Sequence, residues 1–202
     1  MITRLNKPET QRWGYRQKGA ALAVSLLILM VMTVLGISAM STTTLQERMA
    51  NNHRQNQLAF QSAEAALRTA EAWLVANVTG VTALRANFNN AAPVAGLYSE
   101  RSPVIVDPTR PLPAGVNLFD DTGWLAAGNA VAVNTVNTAT LTQSPRYIIQ
   151  YVGRVGPPPK DYSGKKPDKR EYGFRITAIG WGEGANPTSR YLLQSNFRIP
   201  LL

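Results

Sequence analysis

The chain has 202 residues, 45% of them apolar, and a formal charge of +9. It contains no cysteine and one histidine, His53, which excludes disulfide frameworks, thiol nucleophiles and cysteine-ligated metals. After one membrane-length helix, the remaining chain is enough for a single modest globular domain.

Residues 1–19 carry Arg4, Lys7, Arg12, Arg16 and Lys18 against Glu9, a net +4 that leaves +5 for the rest of the chain. From Ala20 to Met40 there are 21 residues without a charge, centred on Leu26, Leu27 and Leu29. A helix rises ~1.5 Å per residue and a bilayer core is ~30 Å thick, so this run spans a membrane. The basic flank keeps the N-terminus cytoplasmic and sends the bulk of the chain across the membrane. The run exceeds the roughly 7 to 15 apolar residues of a cleaved secretory signal. Gly36-Ile37-Ser38 does offer small residues for such a cut, so simple secretion and a plain single-pass anchor stand as the bland readings.

Past Met40 the helical pattern continues, since no Gly or Pro intervenes before Gly80. Leu45, Met49, Phe60, Ala63, Leu67, Ala70 and Leu74 form an apolar stripe at helical spacing, interrupted by Asn51, Asn52, His53 and Asn56. One helix over 20–78 is predicted, membrane-spanning over 20–40 and amphipathic over 41–78, roughly 90 Å long. Residues 79–202 are then an exported globular head. A short helical turn is expected from Val81 to Phe88, then a proline-rich connector with one edge strand at Pro103 to Val106. A short helix starting at Asp121 or Thr122 is expected to carry Trp124 and Leu125 toward the core, and 126–142 is unreadable.

Three runs at strand period follow: Arg146 to Gly153, Tyr172 to Gly182, and Arg190 to Ile199. In the second, Phe174, Ile176 and Ala178 oppose Arg175 and Thr177; in the third, Tyr191, Leu193, Phe197 and Ile199 oppose Gln194, Asn196 and Arg198. Gly182 to Pro187 supplies a hairpin turn. The fold class is therefore α+β, a long N-terminal helix packed on a small antiparallel C-terminal sheet.

Nothing in the chain assembles a catalytic set, and no cofactor or metal is expected. His53 has no partner pattern around it, and phosphate-loop, G-x-S-x-G and H-E-x-x-H motifs are missing from the sequence. Asp120 and Asp121 before Thr122 and Gly123 read as a turn or helix cap rather than a calcium site. Trp124 and Trp181 read as core. Arg154, Lys160, Lys165, Lys166, Lys169 and Arg170 form a basic loop, a candidate partner-binding surface whose bland reading is a solvated face. Nucleic acid would need Trp181 exposed with Tyr172 beside that loop, and is not expected as a partner.

The junction Lys18-Gly19-Ala20-Ala21-Leu22 resembles the type III signal of type IV pilins and type II secretion pseudopilins. That resemblance implies cleavage by a prepilin peptidase between Gly19 and Ala20 and N-methylation of Ala20, so that 1–19 is a prepilin leader. It also marks a departure: the fifth mature position, usually Glu in pilins, is Val24. An unpaired carboxylate in an apolar bundle is costly. In these filaments the Glu is thought to meet the amine of the subunit assembled before it, so Val24 suits a tip or initiating subunit.

Further segments resemble the PilX group of minor pilins: Thr42-Thr43-Thr44-Leu45-Gln46-Glu47-Arg48-Met49-Ala50, Leu58 to Arg68, Phe174 to Ala178, and Leu192 to Ser195. Membership would imply a pilin-like fold and a tip complex with other minor pilins, the major pilin and a PilY-type adhesin. That complex primes pilus assembly and supports twitching motility and adhesion, with no bond chemistry on the chain. The alternatives are a tip pseudopilin of a type II secretion system and a non-filament membrane-anchored periplasmic binding domain or enzyme.

Overall fold

The computed structural model describes residues 19–89, 92–101, 109–114, 116–134, 141, 143–156, 170–183 and 189–200. Helix α1 runs from Ala20 to Asn77, a span that no Gly or Pro other than Gly36 interrupts. The chain divides into two units, Met1–Met49 and Ala50–Leu202, and α1 contributes residues to both. The first unit's described part is helix throughout, with every side chain exposed.

In the second unit, α1 is followed by α2 (Val81–Phe88), β1 (Leu97–Ser99), α3 (Asp121–Leu125), β2 (Val131–Ala132), β3 (Arg146–Val155), β4 (Glu171–Trp181) and β5 (Arg190–Ile199). The sheet has the order β1-β3-β4-β5, with β2 also pairing β3. β3, β4 and β5 are antiparallel neighbours, as their alternation predicts, while β1 lies parallel to β3. The sheet is thus mixed rather than purely antiparallel. The sequence offers no signal for β1, because three residues are too few for a period to register. A register shift between Tyr151 and Gly153 adds a residue to β3, and it brings Arg154 opposite Tyr172.

Each face of the sheet carries its own core. On one, Ala66, Ala70 and Leu74 of α1 pack with Leu84 and Phe88 of α2 over Tyr147, Ile149, Tyr151, Phe174, Ile176 and Ala178. On the other, Trp124 of α3 gathers Tyr98, Ala130, Ile148, Ile179 and Trp181. Both tryptophans are buried, as expected of core residues.

The buried face of α1 differs from the predicted stripe. Ala59, Ser62, Ala63, Ala66, Ala70 and Leu74 are buried, whereas Leu45, Met49 and Phe60 are exposed. The reason is proximity. A Cβ added to Gly180 of β4 would collide with Ser62 Oγ, Ala63 N and Ala59 O, and one on Gly182 would lie 2.5 Å from Gln55 Oε1. Helix and strand backbones approach so closely here that only small residues fit between them. Ser62 Oγ donates to Trp181 O at 3.3 Å, Glu183 N–H donates to Gln55 Oε1 at 2.6 Å, and Ser195 Oγ donates to Glu71 Oε1 at 3.1 Å. The strand expected at Pro103 to Val106 lies outside the described residues.

Candidate functional site

The candidate membrane segment begins where the backbone first closes a helical bond, from Ala23 N–H to Gly19 O at 3.3 Å. Gly19 therefore sits at the start of α1, with nothing within 4 Å of where a Cβ would stand. From there Leu22, Val24, Leu26, Leu27, Leu29 and Met40 are all exposed, so the apolar surface wraps the helix on every side. A helix apolar all round is stable only in lipid or among other apolar helices. The segment is long and apolar enough to cross a membrane.

Ser25 and Thr33 within it, and three threonines just past Met40, turn their hydroxyls back onto the backbone. Ser25 Oγ donates to Leu22 O at 2.9 Å, and Thr33 Oγ1 donates to Leu29 O and Met30 O at 3.0 and 2.8 Å. Thr42, Thr43 and Thr44 donate to Ser38 O, Ala39 O and Met40 O at 3.0 to 3.1 Å. Hydroxyls satisfied within the helix expose no unpaired donor to hydrocarbon. No acidic residue stands in the first turn, and position 24 is Val rather than a carboxylate. The segment is thus fitted for apolar association, with its positive helix end uncompensated by any side chain of its own first turn.

Of the basic loop, Arg154 and Arg170 are described, and Lys160, Lys165, Lys166 and Lys169 lie outside the described residues. Arg154 and Arg170 stand at the two ends of the β3–β4 connection, which the pairing of Val155 with Glu171 closes. The Arg154 guanidinium lies 5.1 Å from the centre of the Tyr172 ring. Tyr172 and Trp181 are both buried, so neither offers a free face for stacking a base.

The acidic pair has divided duties. Asp120 caps α3, accepting from Thr122 Oγ1 at 2.8 Å and from Thr122 N–H at 3.4 Å, and these bonds hold its carboxyl below the usual range. Asp121 Oδ1 accepts from Trp181 Nε1 at 3.1 Å and from Arg190 at 3.0 Å, tying α3 to β4 and β5. Among the described residues no three His, Asp or Glu side chains gather as metal ligands. His53 is exposed on α1.

What residue patterns did not reveal is the clamp between α1 and the end of β4. Arg54 pairs with the Glu183 carboxylate at 3.0 Å while Gln55 takes the Glu183 N–H, so two successive residues of α1 hold the one residue, Glu183, by its side chain and its backbone. Two glycines at strand spacing, Gly180 and Gly182, were its only signal.

Comparison with known families covers most of this architecture. The description "PilX N-terminal" matches residues 18–68, the apolar run and the first part of the packed helix. "Type IV pilus assembly protein PilX C-term" matches residues 84–199, from within α2 to the end of β5, including the stretch 126–142 that was unreadable from its residues. No curated protein and no solved structure matches the chain. Two adjoining matches of one family, over a membrane-length helix and the sheet that packs on it, leave one conclusion: the chain belongs to the PilX family, the minor pilins of type IV pilus assembly.

Proposed function

We propose that this minor pilin acts in the tip or initiation complex of the pilus, priming assembly and supporting twitching motility and adhesion. In this reading the prepilin peptidase removes residues 1–19 between Gly19 and Ala20, and Ala20 is N-methylated. The helix anchors the subunit in the inner membrane with its N-terminus cytoplasmic and the head, residues 79–202, periplasmic, until the subunit is extracted into the filament. Other minor pilins, the major pilin and a PilY-type adhesin are its partners, and the basic residues from Arg154 to Arg170 give one of them a positively charged segment to recognise. The role is structural, with no catalysis on the chain.

The observation that carries the reading is Val24 within a run that is apolar on every side. A subunit that follows another gains from a carboxylate paired with its predecessor's amine. One that has no predecessor would hold that carboxylate unpaired in an apolar bundle, at a cost of several kcal/mol, roughly. Val24 removes that cost.

The test is mass spectrometry of the N-terminal peptide from membranes and from sheared surface filaments. Methylated Ala20 in both, scarce beside the major pilin, is expected. An intact Met1, or a cut near Ala39, would overturn the reading. Val24→Glu separates tip from shaft: it is expected to lower piliation, and unchanged piliation with the variant spread along the shaft would exclude the tip role.

A further inference from the structure

β5 is the outer strand of the sheet, and its hydrogen-bond phase decides which backbone groups face outward. Gly182 N–H donates to Ser189 O at 2.9 Å, just before the β4–β5 register begins at Trp181↔Arg190 and runs without a shift to Tyr172↔Ile199. Bonded and non-bonded pairs alternate in an antiparallel ladder. Tyr191, Leu193, Ser195, Phe197 and Ile199 therefore exchange bonds with β4. Arg190, Leu192, Gln194, Asn196 and Arg198 point their N–H and C=O groups away from it. Among the described residues these groups have no backbone partner.

Edge strands are normally blunted by shortness, lysine, proline or a bulge. β5 has none of these: it is 10 residues long, carries no lysine, meets proline only at Pro200 and keeps one register throughout. The side chains beside the edge also differ from a protected one. At its start, Tyr191 and Phe60 stand edge to face at 5.7 Å and are 41% and 39% exposed. On the opposite face Leu192 is exposed, and so is Phe119, whose carbonyl accepts from Arg190 at 2.7 Å. At its far end Arg198 is exposed and makes no ion pair among the described residues. Arg190 and Arg198 are the strand's only charges.

We propose that the β5 edge accepts an extended segment of a partner protein as an added strand. The segment places apolar side chains against Phe60 and Tyr191 on one face and Phe119 and Leu192 on the other, and a carboxylate near Arg198. Main-chain bonds to the outward groups give affinity, and the flanking side chains set the register. A second copy of β5 matches the backbone and not the charge, because it would bring two more arginines and no acid. The proposal rests on the assembly reading to the extent that the partner is another protein of the same filament.

The test places a photo-crosslinking residue at position 194 or 196 of the full chain in piliated cells and maps the linked peptides by mass spectrometry. Both positions are expected to mark one segment of a different protein, at sites two residues apart. Gln194→Pro is expected to cut the yield from position 196 about tenfold, since it removes an outward donor and blocks the approach. It leaves the β4 ladder and the unfolding midpoint intact. Arg198→Glu, a surface change, is expected to cut the yield as well. Absent cross-links, marked sites three or four residues apart as on a helix, or links to a second copy would overturn the proposal. A processed chain present in filaments without these links sinks the edge proposal alone, whereas a chain with intact Met1 and absent from filaments sinks the assembly reading.

Discussion

Thr177 sits in the middle of β4 at 2% exposure, and its hydroxyl has no hydrogen-bond partner among the described residues. A buried unpaired hydroxyl costs roughly 1 to 3 kcal/mol. Thr177→Val keeps the shape and removes the polar atom, so it is expected to raise the thermal midpoint of the head by a few degrees, about what 1 kcal/mol yields in a domain of this size. A lower midpoint would mean that a water holds the hydroxyl. The alternation of β4 assigned Thr177 to the polar face, and the face assignment holds. Its burial did not follow from the residue type, because it depends on the Trp124 cluster that gathers on that side.

At the scale of elements, the contact between α1 and β4 is set by what is missing from side chains. Gly180→Ala drives a methyl into the backbone of α1 at Ala59 and Ala63. It is expected to destabilise the head by about 3 kcal/mol in denaturant titration. Gly182→Ala meets chiefly the end of the Gln55 side chain, which can swing aside, and is expected to cost less. Equal effects would show that the helix slides as a body. This contact also explains which elements were legible. β3, β4 and β5 announced themselves through alternation, α1 through length, and α3 through Asp120 and Trp124. The buried face of α1 was read correctly at Ala63, Ala70 and Leu74 and misplaced at Phe60, because stripe reading favours bulky residues while a helix pressed onto a glycine strand buries alanines. β1 and β2 are too short for a period of their own, and their place as strands is set by pairing with β3.

For the whole molecule, the helix-facing core concentrates tyrosines. Burial pushes Tyr151 up to about 12, with the Tyr172 ring beside it adding to the rise, and burial raises Tyr147 as well; Tyr98, on the other face, is also raised. An unfolded tyrosine ionises near 10, so below that pH both states hold their protons and stability is unaffected. Between about 10 and about 12 the unfolded chain releases protons that the folded chain keeps, and stability falls as pH rises. Full-length protein in detergent is expected to lose stability across that window, by up to about 1.4 kcal/mol per pH unit for Tyr151. Ultraviolet absorbance of tyrosinate, followed beside the unfolding midpoint, checks it. A midpoint flat to pH 11.5 would mean that these rings open to water without unfolding.

β4 contributes to both cores, through Phe174, Ile176 and Ala178 on one face and Ile179 and Trp181 on the other. Neither layer can loosen while β4 stays whole, nor can β4 leave while either layer holds. The head should accordingly behave as a single foldon whose last protected amides belong to β4. Damage to the Trp124 cluster, such as Trp124→Ala, would then quicken deuterium uptake beneath α1, on the far side of the sheet, by the same factor as at the mutated face. A mutation on the face of the sheet that α1 does not cover would thus slacken the seat of α1, and the strength with which the subunit withstands pulling would be decided by one strand.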